Sequence, residues 1–388
     1  MDVETRLNWI KAIPTEEILV EDELRTFLEH GVPLIHYQGF EISGFVHLGT
    51  GLVSGLKIAQ FQKAKVKTRL FLADYHSWIN DKLGGDLDTI RWVARNYFEK
   101  AMKLSIKVMG GNPESVEVIL GSEFYEENPE YWATVLDIAK RVTLARVRRA
   151  ITILGRKMGE AIDFAKLIYP VMQVADIFAL QVNLPHAGRD QRKAHVIARE
   201  VAKKIRFNVL KADLGNGEEV IKPIAVHHSL LMGLKMSDEH YKLLKEAEEK
   251  GDAEAIRDIF IDIKMSKSIP ESAIFVHDSP QDIKRKIRKA FCPAREIEYN
   301  PVLEITRLII FPADGKFFVD RPQKFGGPVE YNSFEELARD FKEGKLHPLD
   351  LKNAVADWLI KKLEPIRKYF EGPGKSALEE LKRIKITR

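Results

Sequence analysis

The chain is short of several things at once, and each shortage excludes something. One cysteine, Cys292, stands among 388 residues. A single thiol cannot form an internal disulfide or a cysteine-rich zinc or iron–sulfur centre. No apolar run approaches the ~20 residues a membrane-spanning helix needs, so an integral membrane protein is excluded. The N-terminal segment MDVETRLNWIKAIPTEE is charged throughout and lacks the apolar core of a secretory leader, so the cytoplasm is the expected compartment. Neither sign of charge prevails: 61 basic and 57 acidic residues leave +4, which permits an anionic partner without requiring one. There is no internal repeat and no low-complexity tract. What remains is a soluble globular balance, 45% hydrophobic and 30% charged, long enough for two or three domains.

Two patterns follow one another along the chain. Up to about residue 275, short apolar runs alternate with amphipathic stretches, the signature of a parallel sheet covered by helices. Leu34 to Phe40, Thr68 to Ala73 and Val116 to Leu120 read as strands. Helices are expected from Gly49 to Lys63 and from Leu167 to Leu180, the latter with Pro170 near its start, where a missing N–H does no harm. Val226 lies in a further apolar run. Leu234 to Phe260 is highly charged and reads as a solvated helix or surface insertion. Beyond Ser279 the pattern is mostly helical. Leu351, Val355, Trp358, Leu359, Leu363, Ile366 and Phe370 form one apolar stripe at spacings of mostly three and four. The stretch FVDRPQKFGGPVEY before it should hold short strands and turns. The expectation is an α/β fold over residues 1–275 followed by a mainly helical domain over 276–388.

Two constellations carry chemistry. His47-Leu48-Gly49-Thr50 joins the first predicted strand to a helix, where backbone N–H groups and the positive helix end favour phosphate. Gly44, Gly49 and Gly51 would let a nucleotide approach the backbone. On its own this is equally what an ordinary βα turn with a surface histidine looks like. Lys264-Met265-Ser266-Lys267-Ser268 sets two lysines beside small hydroxyls, a donor-rich cationic loop able to neutralise a triphosphate. A third cluster lies on the Leu167–Leu180 helix. Tyr169, Gln173 and Asp176 stand four and three apart, on one face. Their apolar neighbours make a polar pocket the better reading than a solvent-facing stripe, because burying Gln and Asp is costly unless they bind something.

The pair HLGT and KMSKS resembles the two signatures of class I aminoacyl-tRNA synthetases. HYQGFEISGFVHLGTG and KLIYPVMQVADIF are similar to the signature loop and amino-acid-binding helix of tyrosyl-tRNA synthetases. GRDQRKAHVIARE, AFCPARE, NPVLEI, RPQKFGG and LHPLDLKNAVA resemble segments of the archaeal and eukaryotic type. The resemblance spans essentially the whole chain. It implies a Rossmann-like catalytic domain, a C-terminal anticodon-binding domain, L-tyrosine and ATP as substrates with Mg²⁺, tRNA(Tyr) as partner, and a homodimer. By that resemblance Tyr169, Gln173 and Gln191 would hold the α-amino group of tyrosine, and Tyr37 and Asp176 its phenolic hydroxyl. Glu41 in the signature loop and His76 beyond the second strand are further candidates for the pocket wall. A satisfied core histidine is an equal reading of His76, and Asp74 shares that ambiguity. Sites that bond a substrate hydroxyl reject the analogue lacking it by about four to five orders of magnitude, a figure for which tyrosine-activating enzymes are themselves the standard example.

The chemistry implied has two steps. The tyrosine carboxylate attacks the α-phosphorus of ATP and expels pyrophosphate, and the adenylate then passes its tyrosyl group to the terminal ribose of the tRNA. A carboxylate is already a nucleophile, so positioning and charge stabilisation should supply most of the acceleration. His47 is assigned to the α-phosphate region, Lys264 and Lys267 to the departing pyrophosphate, and Gly49 and Thr50 to the ATP site. Thr50 stands where the family signature has its second histidine, which shifts weight to the lysine loop. For tRNA, Arg149 and Arg192 would read the acceptor end, and Phe325 and Asp350 the first anticodon base. The basic tail KRIKITR is a further candidate for contact. Rival readings are weaker. A tryptophanyl enzyme would not need Tyr37 with Asp176. Gly49, Gly51 and Gly55 miss the dinucleotide fingerprint by one residue, and Gly374-Lys375-Ser376 lacks the strand of a phosphate-binding loop. A non-catalytic RNA-binding protein would be expected to carry a broken lysine signature.

Overall fold

The structure, a computed structural model, describes residues 1–155 and 163–384. Residues 156–162 and 385–388, the latter including the end of the KRIKITR tail, lie outside the described residues, as do the side chains at positions 253, 254, 257, 261 and 325. Six strands make the main sheet: β1 (Thr15–Leu19), β2 (His36–Phe40), β3 (Arg69–Leu72), β4 (Glu117–Leu120), β5 (Leu184–Gly188) and β6 (Ala225–His228). Their order is β1-β6-β5-β2-β3-β4, with β1 antiparallel to β6 and every other pair parallel. The inner strands are buried on both faces, as helices on both sides of a parallel sheet require.

This order sets the site. From β2 the chain winds outward one way through β3 and β4, then returns to β5 and winds the other way. The crevice at the carboxyl ends of β2 and β5 is thus a topological switch point, where open α/β sheets bind ligands. Phe40-Glu41 leaves β2 and Gly188-Arg189-Asp190 leaves β5 at that crevice. The helix after β2 begins as a wide turn, Gly49–Val53, and runs on as Ser54–Lys63. Gly51 and Gly55 serve packing there, not a nucleotide. A Cβ at Gly51 would meet Val276 and Ser105 at 2.8 and 2.9 Å, and one at Gly55 the Ser105 backbone at 2.9 Å.

The pocket helix spans Ala165–Ala179, and Pro170 lies inside it, not near its start. The charged segment forms two helices, Asp238–Glu249 and Ala253–Ile263, closing a small cluster around Met232, Met236, Leu244 and Ile263. The C-terminal stripe is divided between two helices, Pro348–Lys362 and Glu364–Glu371, because Pro365 opens a new helix. Its apolar members Leu351, Val355, Leu359, Leu363, Ile366 and Phe370 are buried all the same. The strands Phe317–Val319 and Val329–Tyr331 pair as a short antiparallel ladder in the Pro- and Gly-bearing stretch before them. One apolar cluster runs from Phe40 in the sheet, through Ile274 and Val276, to Leu381 in the last helix.

Candidate active site

A cavity of about 800 Å³ opens at the switch point. Tyr37, Glu41, His47, Gly49, Thr50, His76, Tyr169, Gln173, Asp176, Gln191, Lys264 and Lys267 all line it. The inward-facing residues of the predicted pocket thus converge from β2, its following loop, the Ala165–Ala179 helix and the lysine loop. Arg149, Arg192 and Asp350 lie outside the lining. Arg149 is exposed on the helix Leu144–Ala150, and Asp350 sits in the first turn of Pro348–Lys362. Arg192 is held by Glu17, its Nε donating to both carboxylate oxygens at 2.9 and 2.8 Å. Phe325 belongs to a short turn, Gln323–Phe325, and its side chain is outside the described residues.

The deep end is built around Asp176. Its Oδ1 accepts from the hydroxyls of Tyr125 and Tyr131, each at 2.9 Å, and those two rings stack at 3.9 Å. Its Oδ2 faces His76 Nε2 at 3.5 Å, and that nitrogen makes no hydrogen bond. Burial pushes the Asp176 carboxyl up to about 8, with the two tyrosine hydrogen bonds pulling the other way. Tyr37 is buried, and burial and then the nearby Asp176 raise its phenol well above the ordinary value. Tyr125 and Tyr131 were not legible as site residues, because nothing in SEFYEENPEYW marks them as partners of a residue 51 and 45 positions away.

Further out the polar groups form a ring. Tyr169 donates to Glu41 Oε1 at 2.9 Å, and Asn80 Nδ2 donates to the same oxygen at 2.8 Å. Lys82 Nζ lies 3.4 Å from Glu41 Oε2. Gln173 Nε2 donates to Gln191 Oε1 at 3.2 Å, and Gln191 Nε2 to the Ile153 carbonyl at 3.0 Å. Gln173 Oε1 is buried without a partner. A buried lone acceptor in the wall of a polar cavity is a fitting seat for an ammonium group. Asp74, by contrast, is committed elsewhere: its carboxylate accepts from the Ser122 N–H at 2.9 Å and faces Arg91 Nε at 3.3 Å.

The outer end carries the phosphate-binding candidates. His47 Nδ1 accepts from the backbone N–H of Gly49 at 3.1 Å, which assigns the ring proton to Nε2, 3.2 Å from the Thr50 hydroxyl. Burial, then Lys267 and Lys264, hold its imidazole down to about 3, so it is a neutral donor. Lys264 Nζ donates to Asp190 Oδ2 at 2.6 Å. Burial opposes its charge, but Asp190 outweighs burial and raises the ammonium. Lys267 has no ion pair or hydrogen bond among the described residues. Burial, with Lys82 and Lys264 nearby, brings its ammonium down to about 7. The chain that follows the lysine loop pairs with the HLGT segment, since Leu48 N–H donates to the Ile274 carbonyl at 3.0 Å and Val276 N–H to the Val46 carbonyl at 3.0 Å. Among the described residues no group of three His, Cys, Asp or Glu is placed to hold a metal ion, and no helix is long and apolar enough to cross a membrane.

With this geometry in place, comparison with known proteins is decisive. Residues 29–248 and 262–364 match the family of tRNA synthetases class I (W and Y). A tyrosine–tRNA ligase of Thermococcus sibiricus is 59% identical over 389 residues, covering all of both chains. The chain belongs to the tyrosyl-tRNA synthetases of class I. The tyrosine–tRNA ligase of Pyrococcus furiosus is likewise 59% identical over the full length of both chains. A crystal structure of the tyrosyl-tRNA synthetase of Pyrococcus horikoshii, complexed with L-tyrosine, superposes with a TM-score of 0.91 at 57% identity, covering 99% of this chain and 100% of that one. The archaeal character of these synthetases agrees with the segments NPVLEI, RPQKFGG and LHPLDLKNAVA.

Proposed function

We propose that the cavity is where this chain, a tyrosine–tRNA ligase, activates L-tyrosine with ATP and from which it transfers the tyrosyl group to the 3′ end of tRNA(Tyr). The observation that carries the site assignment is one cavity lined both by a buried carboxyl, Asp176, and by two lysines, Lys264 and Lys267. The phenol of tyrosine sits between Tyr37 and Asp176. Because Tyr125 and Tyr131 already occupy Oδ1, the substrate hydroxyl meets Oδ2. His76 forms the wall beside it. The α-ammonium is held by Gln173 Oε1, Tyr169 and Gln191, with Glu41 supplying charge.

That anchoring leaves the carboxylate of the substrate facing His47, Gly49 and Thr50. It attacks the α-phosphorus, a new C–O–P linkage forms, and the bond to pyrophosphate breaks. His47 donates its Nε2–H to an α-phosphate oxygen, without charge of its own. Lys264 and Lys267 stabilise the charge that accumulates on pyrophosphate, which compensates for Thr50. Mg²⁺ travels with ATP, held by phosphate and water more than by protein. In the second step the adenylate carbonyl is attacked by the terminal ribose hydroxyl and AMP leaves.

The tRNA is gripped by Arg149 and Arg192 at the acceptor end and by Phe325 and Asp350 at the anticodon, dividing the labour between residues 1–275 and 276–388. Trp132 and Leu136 are 47% and 66% exposed on the helix Tyr131–Ala139, which supports a homodimer through the region 99–139. We place the enzyme in the cytoplasm. Amino-acid-dependent ATP–pyrophosphate exchange across the standard amino acids tests the reading. Exchange with tyrosine alone is expected, and exchange with tryptophan would overturn the pocket assignment.

A further inference from the structure

One largely buried carboxylate takes no part in the mechanism above. Glu304 lies on the helix Pro301–Ile305, in the C-terminal part, yet its Oε2 accepts from the backbone N–H of Met232 at 2.7 Å. Met232 belongs to a short ribbon, residues 231–234, that holds the base of the lysine loop. On one side Gly233 N–H donates to the Ile263 carbonyl at 2.8 Å and Met265 N–H to the Leu231 carbonyl at 2.7 Å, which sets Met232 opposite Lys264 in an antiparallel bridge. In such a pairing the N–H of Met232 turns away from residue 264 and needs another acceptor. Glu304 supplies it.

The same ribbon holds the far end of the loop and the following chain. Leu234 N–H donates to the Ser272 carbonyl at 2.8 Å, and Phe291 N–H to the Leu234 carbonyl at 2.7 Å. The charged helix Asp238–Glu249 leans on this chain too, through Tyr241 with Glu296 at 2.9 Å and Lys245 with Glu298. Glu304 itself is fixed by its helix, whose first turn is capped by Asn300 Oδ1 accepting from Val302 and Leu303, and among the described residues its one ion-pair partner is Arg307 at 3.9 Å. An acid drawn largely out of water is a costly way to satisfy one N–H unless its position matters.

We propose that Glu304 is a positioning residue for adenylate formation: through Met232 it fixes the register of Lys264 at the base of the lysine loop relative to the C-terminal part. The inference rests on the assignment of Lys264 and Lys267 to the departing pyrophosphate. A displacement of about 1 Å in a reacting group can cost on the order of 10²-fold in rate. One lost hydrogen bond at the residue paired with Lys264 should therefore be felt in turnover before it is felt in tyrosine binding, whose residues lie on other elements.

The experiment is ATP–pyrophosphate exchange on the full chain with Glu304→Ala, Glu304→Gln and Lys267→Ala, with tyrosine affinity measured by calorimetry. Glu304→Ala should lower kcat about tenfold with tyrosine Kd unchanged within about twofold. Glu304→Gln, whose carbonyl oxygen accepts from the same N–H, should stay within about threefold of the parent. Should Glu304→Ala not fold, Glu304→Asp, which draws the carboxylate back by one methylene, gives the same split. Combining Glu304→Ala with Lys264→Ala should slow exchange no further than Lys264→Ala alone, because the first acts through the second. Parent-like turnover in Glu304→Ala beside a slow Lys267→Ala overturns this proposal alone. Equal losses of turnover and tyrosine affinity overturn it as a general structural defect. Parent-like turnover in Lys267→Ala overturns the lysine assignment and this inference with it.

Discussion

Lys267 should make ATP binding take up a proton. Its ammonium is brought down to about 7 by burial and by Lys82 and Lys264, while Glu41 only partly restores it. At pH 8 about one molecule in ten then carries the charge before ligand arrives. A polyphosphate beside it favours the charged form and returns it toward the ordinary lysine range. Binding at pH 8 should therefore absorb close to one proton, and at pH 7 about half of one. The sign follows: affinity is greatest below pH 7 and falls as pH rises, by up to about tenfold per unit, until the pKa of the bound state is reached. The assay is calorimetric titration of ATP, without tyrosine, at pH 8 in two buffers of different ionisation enthalpy. Lys267→Arg, which stays charged throughout, should abolish the difference between buffers. Identical heats in both buffers for the parent chain, or an undiminished difference in Lys267→Arg, would refute the reasoning.

Three further outcomes are expected. Asp176→Asn keeps an acceptor for Tyr125 and Tyr131 and should raise KM for tyrosine and relax rejection of phenylalanine, whereas Asp176→Ala should also destabilise the fold by about 1–3 kcal/mol for each hydroxyl left unpaired; steady-state exchange and urea melts separate the two. Phe325→Ala should slow tRNA charging while sparing pyrophosphate exchange, since stacking on one base is worth about 1–3 kcal/mol; equal losses in both assays would remove Phe325 from anticodon recognition. Burial holds His36 down to about 3 and His228 to about 4, and keeps His186 and His195 well below the ordinary imidazole value. Because the folded chain keeps them neutral, their contribution is complete above pH 6.5 and drains as pH falls toward 4. Each costs up to about 1.4 kcal/mol per pH unit. Asp176 and Glu304, whose carboxyls burial raises, act in the opposite sense but are outnumbered. Urea midpoints at pH 7 and pH 5 check this, and equal midpoints would contradict it.

The parts of the site that could be read in advance share a property: their chemistry is written in neighbouring residues. HLGT, KMSKS and the Tyr169–Gln173–Asp176 face each need only one loop or one helix to become meaningful. β2, β3 and β4 were legible for the same reason, as apolar runs of strand length. β5 was not, because LPHAG mixes proline, glycine and histidine, and only its place between β2 and β6 makes it a strand. β1 was missed because TEEIL reads as charged surface, and its exposed side faces solvent at the sheet edge. Tyr125, Tyr131, Lys82, Asp190 and Glu304 escaped because each gains its role from a partner far away in sequence. The glycines of the signature loop show the converse. Gly51 was read as room for a nucleotide, and the space it leaves is filled by Val276 and Ser105.

The apolar cluster that runs unbroken from Phe40 to Leu381 has a thermodynamic consequence. Two parts of a chain with a shared interior have no separate melting points. A chain cut at residue 275 would lose the cover over Leu48, Leu52 and Tyr97, and would present that surface to water. Calorimetry of the whole chain should then give one transition whose calorimetric and van't Hoff enthalpies agree. In a molecule built this way, residues 1–275 and 276–384 share one cooperative unit, and any mutation that loosens either part is distributed over both.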